Sequence, residues 1–203
     1  LKQRIQALMG KCGFHSKGIF VMDGSKRSGH GNAYFTGFGN NKRIVFFDTL
    51  LESLEPAEIE AVLAHELGHF KLKHIQKRLL STAALSLAAL ALLGWLAGED
   101  WFYHGLGISQ PSAWMALLLF MLAMPVFSFF LQPLLSLLSR KHEFEADAYA
   151  VQQSSGADLV HALVKMYREN ASTLTPDPLY SAFHDSHPPA PVRIAHISGT
   201  MGT

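Results

Sequence analysis

Two long stretches without a charged side chain govern what this sequence can fold into. Residues 79–98 run for twenty positions without Asp, Glu, Lys or Arg, and residues 111–139 for twenty-nine more. A helix that crosses the hydrocarbon layer of a bilayer needs about twenty apolar residues. The alternative is a pair of buried core helices, but a chain of 203 residues can hardly enclose both. Two membrane spans are expected, over about 79–98 and 112–138. Gly94, Pro125 and Pro133 are tolerable inside such helices. The stripe of Phe120, Phe127, Phe129 and Phe130 reads as lipid contact.

The flanks of the spans set their orientation. Lys71, Lys73, Lys77 and Arg78 precede the first, and Arg140 and Lys141 follow the second. The loop between them holds Glu99 and Asp100 but no Lys or Arg. The positive-inside rule then puts the loop outside and the segments on either side of the hairpin in the cytoplasm. Outside the spans the composition excludes other classes. A formal charge of +1 leaves no basic excess to neutralise phosphates, so nucleic acid is not the expected partner. Cys12 is the only cysteine, which rules out an intrachain disulfide and a thiolate metal cluster. The start Leu1-Lys2-Gln3-Arg4-Ile5 reads as an amphipathic helix rather than a signal peptide, and it has no methionine. The chain is expected to be a piece of a longer membrane protein, and to form one domain over 1–203.

The polar parts alternate between helical and extended patterns. Leu1, Ile5, Leu8 and Cys12 share a helical face that Gly13 is placed to end. Residues 18–22, 32–38 and 43–47 read as short strands, separated by Gly24-Ser25 and Gly39-Asn40-Asn41. Pro56 suits the first turn of a helix, with Glu58 and Glu60 near its positive end and Ile59, Val62, Leu63 and Leu67 as a buried stripe. After the hairpin, 143–151 reads as a helix broken at Gly156. A further amphipathic helix carries Leu159, Leu163 and Met166. Pro176-Asp177-Pro178 and Pro188-Pro189-Ala190-Pro191 mark loops before a short last helix. The class is α+β, mainly helical, with a small sheet.

Within the helix after Pro56 lies His65-Glu66-Leu67-Gly68-His69, an H-E-x-x-H pattern. The four-residue spacing brings both imidazoles to one helical face, where they can hold one Zn2+. Glu66 adjoins the first ligand and can act as general base on a water that the metal acidifies. The alternative is a chance match on an amphipathic helix, which needs three positions to agree; a closed structural site of four protein ligands would leave Glu66 without a task. A catalytic zinc needs a third protein ligand and an open position, and candidates lie in 140–147. Glu143 and Asp147 are four apart, so one can bind the metal while the other orients an imidazole. Glu145 points away from that face and reads as solvated, and His142 is a rival ligand. His74, five beyond His69, falls off the ligand face and reads as a packing or outer residue.

Several stretches, taken together, resemble the CAAX prenyl protease 1 family of membrane zinc metalloproteases. They are Gly24-Ser25-Lys26-Arg27-Ser28, Asn32-Ala33-Tyr34-Phe35, Lys42-Arg43-Ile44-Val45 and Phe47-Asp48-Thr49-Leu50-Leu51, then Ala64-His65-Glu66-Leu67-Gly68-His69, Glu143-Phe144-Glu145-Ala146-Asp147-Ala148 and Ser186-His187-Pro188-Pro189. The resemblance implies a zincin-like catalytic domain with the transmembrane hairpin inserted between the zinc-ligand helices, one Zn2+ per chain, Glu143 as third ligand and Asp147 as its outer partner. It implies that Asn32, Ala33, Tyr34 and Phe35 form an edge strand along which the peptide lies. It also implies that His187 and Arg193 face the cleaved peptide, His187 stabilising the oxyanion with Arg193 in support; a structural histidine before a Pro-Pro turn is the plainer reading of His187. Family members carry further transmembrane helices before the matched region. The expected function is zinc-dependent cleavage of peptides at the membrane, of prenylated CAAX peptides in a eukaryote. In a bacterium, toward which the Ala- and Leu-rich spans point, quality control in the inner membrane is expected. The alternatives are a membrane heat-shock protease of the HtpX type and a non-catalytic membrane scaffold.

Overall fold

A computed structural model describes residues 1–26, 29, 31–37, 42–169 and 173–202. Arg27, Ser28, His30 and the expected turn and strand end at 38–41 lie outside the described residues. The chain opens with α1 (Lys2–Lys11), closed by Gly13 at φ +64°. That left-handed residue lets the Phe14 N–H reach back to the Met9 carbonyl at 2.9 Å. Three strands follow: β1 (Ile19–Met22), β2 (Ala33–Thr36) and β3 (Arg43–Phe47). β3 is central, parallel to β1 and antiparallel to β2, with Tyr34 opposite Val45. Among the described residues β2 pairs only with β3, so its other side is an open edge.

A short helix, α2 (Asp48–Ser53), leads to α3 (Pro56–Lys71). Pro56 stands in the first turn of α3 as its fixed φ favours, and Glu58 turns back to accept the Glu55 N–H at 2.7 Å. α3 is the axis of the molecule. Its stripe of Ile59, Leu63 and Leu67 packs with Ile5, Leu8, Ile44, Phe46 and Leu50 into the main core. From the other side come Leu159 and Ala162 of α7 (Gly156–Glu169) and Ile197 of α9 (Ala190–Met201). Each of these large side chains is almost wholly withdrawn from solvent, which stabilises the arrangement by about 1.5–3 kcal/mol per side chain.

The apolar stretches become α4 (His74–Leu96) and α6 (Ala113–Gln153), each long and apolar enough to cross a membrane. Their apolar windows are 0% and 11% buried within this chain, so these surfaces face outward. Where the two helices meet, α5 (Asp100–Gly105) fills the loop. Phe102 and Tyr103 pack there on Leu96, Ala116 and Leu119.

The sequence reading divided α6, treating 143–151 as a separate helix. The structure has one helix of 41 residues running through Pro125 and Pro133. Nothing in 139–142 breaks a helix, so the chain passes from the apolar part into the polar part without a turn. α6 then ends at Ser154, before Gly156, which begins α7 instead. A second difference is α8 (Pro178–His184), where only a loop was expected. Asp177 caps it by accepting the Leu179 and Tyr180 N–H groups at 2.9 and 2.8 Å.

Candidate metal centre

α3 and α6 cross closely enough to bring His65, His69 and Glu143 together, and Gly68 makes this approach possible. A Cβ on Gly68 would stand 3.0 Å from the Ala146 Cα, so any larger residue would push the helices apart. His65 Nε2 and His69 Nε2 lie 3.1 Å apart. Glu143 places Oε1 3.3 Å from His69 Nε2 and Oε2 3.6 Å from His65 Nε2. Ligand atoms around a tetrahedral zinc, with bonds of about 2.0–2.1 Å, are separated by about 3.3–3.4 Å. The three donors therefore fit that ion in number, type and spacing.

Glu143 and Asp147 set two buried carboxylates beside the buried guanidinium of Arg193. The same surroundings act on His65. Its burial disfavours a charged ring, but the bonds to Asp147 and Glu143 outweigh this and lift its pKa to about 9. Glu143 is held far below the ordinary carboxylate range: burial pushes it up, and the bonds from His65 and His69 more than reverse that. Asp147 is lowered in the same way, against its burial, by His65 and Arg193.

Asp147 is fully buried and accepts from His65 Nδ1 at 2.8 Å. This fixes the His65 ring with Nε2 turned toward His69 and Glu143. Arg193 grips the same carboxylate from α9 with two bonds, Nε to Oδ2 at 2.9 Å and Nη2 to Oδ1 at 2.5 Å. Its Nη1 is 3.5 Å from Glu143 Oε2. Arg193, expected at the peptide in support of His187, is buried, and its polar contacts go to Asp147, Glu143 and His65. His187 does face outward. Its side chain is 63% exposed, with Nε2 3.5 Å from Glu143 Oε1 and Nδ1 3.0 Å from Ser186 Oγ.

Glu66 sits half-buried on α3 between the two imidazoles in sequence. β2, carrying Ala33, Tyr34 and Phe35 just after Asn32, packs against α3. The Asn32 carbonyl accepts from the Phe47 N–H at 2.9 Å and so belongs to the β3 side of the strand. A cleft of about 390 Å³ opens beside His187, lined by Tyr167, His184, Asp185 and Pro189 among others.

Three contributions escaped the sequence reading. Glu145 is not simply solvated: its Oε2 lies 2.9 Å from His74 Nε2. His142 is apart from the His65–His69–Glu143 group and stacks on His74, with ring centroids 4.1 Å apart. Arg140 donates to the Ser181 carbonyl at 2.7 Å, and the Tyr167 hydroxyl donates to the Pro188 carbonyl at 3.2 Å. These two bonds fasten the segment that bears His187. The prolines of that segment signalled a fixed turn, but nothing local names the partners.

The profile of Peptidase family M48 matches residues 1–201. The chain belongs to this family. Its M48 relatives include a CAAX prenyl protease 1 homolog of Arabidopsis thaliana, 38% identical over 98% of this chain and 47% of the relative. CAAX prenyl protease 1 of Saccharomyces cerevisiae is 37% identical over 97% of this chain and 47% of its own length. A CAAX prenyl protease 1 homolog of Homo sapiens is 34% identical over 93% and 48%. Among solved structures, the crystal structure of S. mikatae Ste24p matches with a TM-score of 0.88 at 36% identity, over 97% of this chain and 49% of that one. The chain thus spans about half the length of the curated relatives it matches.

Proposed function

We propose that this chain is the catalytic half of a membrane zinc endopeptidase of the CAAX prenyl protease type. The observation that carries the reading is the convergence of His65 Nε2, His69 Nε2 and Glu143 within 3.1–3.6 Å of one another, on two helices that flank the hairpin. These three residues would hold the metal, in a zincin-like unit formed by 1–203 with α4 and the apolar part of α6 in the bilayer. Zinc, when bound, supplies Lewis-acid polarisation of the scissile carbonyl and acidifies water.

The chain's own groups do the rest. A peptide laid along the open edge of β2, over Asn32 to Phe35, is held by main-chain hydrogen bonds that ignore its side chains. Glu66 takes a proton from the attacking water as oxygen bonds to the carbonyl carbon. It then delivers that proton to the leaving nitrogen as the C–N bond breaks. His187, exposed beside the ligands, donates to the carbonyl oxygen as negative charge develops there. Arg193 keeps Asp147 and Glu143 in place and does not touch the peptide.

The named relatives favour a prenylated CAAX substrate over general quality control, and the Lys/Arg flanks favour a cytoplasmic site. The experiment is Glu66→Gln in the full-length protein, assayed with prenylated and unprenylated peptides. Zinc content should stay at one per chain while cleavage falls by about a thousandfold or more, the scale of losing a general base and its proton delivery. Turnover equal to the parent would remove Glu66 as the base. Equal cleavage of both peptides would remove the prenyl specificity.

A further inference from the structure

Behind His69 stands a second group of donors. His74, His142 and Glu145 each place one ligand atom within 4.8 Å of the others. These do not form a second metal site as they stand. The His74 and His142 rings are nearly parallel, 13° apart at 4.1 Å. The lone pair of an imidazole lies in its ring plane, so two stacked rings cannot direct their nitrogens at one ion. The group has another use.

We propose that His74 and Glu145 are positioning residues that fix the tautomer of His69 through a relay of two hydrogen bonds. The inference rests on the reading of His69 as a metal ligand. His69 Nε2 faces His65 and Glu143, so it must offer a lone pair and the ring proton must sit on Nδ1. His69 Nδ1 lies 2.9 Å from His74 Nδ1. His69 then donates and His74 accepts, which leaves the His74 proton on Nε2. That atom is 2.9 Å from Glu145 Oε2, a carboxylate that can only accept. Each step dictates the next, and the chain closes without a conflict.

The local backbone explains how a histidine five positions on comes to face His69. On a continuous helix His74 would point elsewhere. α3 ends at Leu72, Lys73 takes the left-handed conformation at φ +58°, and α4 starts again at His74. The restart swings the His74 ring back over the last turn of α3. His74 is buried there, 4% exposed, under the stacked ring of His142. The two ligand imidazoles are thereby anchored in different ways. His65 is held directly by a fully buried carboxylate, and His69 through an intervening ring by a carboxylate at the surface.

The test measures zinc affinity by competition with a chelator in the full-length protein in detergent micelles, together with kcat and KM. His74→Phe keeps the ring and its stacking but removes the acceptor. Zinc affinity should fall about 10–100-fold, the usual effect of losing such a partner, with kcat lowered and KM little changed. His74→Gln restores an acceptor and should recover most of the loss, which a packing role alone would not allow. Glu145→Ala, on a partly exposed side chain, should weaken zinc by about tenfold, the low end of that range. Undiminished affinity in His74→Phe or in Glu145→Ala, or a His74→Gln variant no better than His74→Phe, overturns the proposal. His69→Ala separates the two readings. If it loses zinc while His74→Phe keeps it, only the relay fails; if it keeps zinc, the metal assignment itself fails.

Discussion

An alanine at Gly68 would set its methyl 3.0 Å from one backbone atom of α6 and 3.1 Å from another, the Ala146 Cα and O. Backbone cannot turn aside as a side chain can, so the helices must separate. Gly68→Ala should cost about 1–3 kcal/mol of stability, seen as a lower melting temperature. It should also weaken zinc binding, because Glu143 moves with α6 while His65 and His69 stay on α3. A variant that melts normally and keeps its zinc would mean that the helices have slack. At this scale the sequence was partly legible. The four-residue spacing of His65 and His69 is a property of one helix, so it could be read locally. Glu143 and Asp147 could be seen as a pair, but their division of labour depends on how α6 lies on α3. The partnership of Arg193 with Asp147, 46 residues away, exists only because α9 folds back over the site. No local pattern encodes it.

Among elements, the tie between α3 and α7 has a pH signature. Lys165 of α7 donates to Glu58 Oε2 at 2.7 Å. Burial alone would raise the Glu58 carboxyl, but this bond and the Glu55 N–H hold it below its ordinary 4.5. A depressed folded value means that the tie stabilises the fold fully above pH 4.5 and is lost as pH falls below it. Unfolding monitored across pH 3–7 should show an acid-side loss of stability that Lys165→Met reduces. An unchanged acid limb in Lys165→Met would exclude this pair as a contributor. Elements with strong periodicity or clear stops were legible: α1 with its glycine, α3 with its proline, the three short strands. α2, α5 and α8, at six or seven residues, are too short to show a period. They depend on caps and on the surfaces they rest against. The unity of α6 is hidden for the opposite reason: its composition changes after Ser139 while its helix does not.

For the whole molecule, two long helices present apolar surface that the described residues leave largely exposed. Such an expanse on a water-soluble particle would drive association, so its natural surroundings are lipid and further helices. The proposed orientation rests on the flanking charges: Lys77, Arg78, Arg140 and Lys141 stand at one end, Glu99 and Asp100 at the other. A reporter enzyme inserted in the loop at 106–111 of the full-length protein should be active only outside the cytoplasm. Cytoplasmic activity there would invert the topology and, with it, the side on which peptides are cut. The two long apolar helices were legible from hydropathy alone. What their outward faces meet was not, because an apolar helix face carries no mark of its neighbour.

The unbroken course of α6 has a further consequence. The helix carries Ser139, where its long uncharged stretch ends, and Glu143 on one rod, about 6 Å apart along the axis. Anchor and chemistry therefore share a single stiff body with no joint between them. In the proposed function, any tilt that thicker or thinner lipid imposes on the rod is carried straight to Glu143, whose height above the bilayer is then set by helical rise.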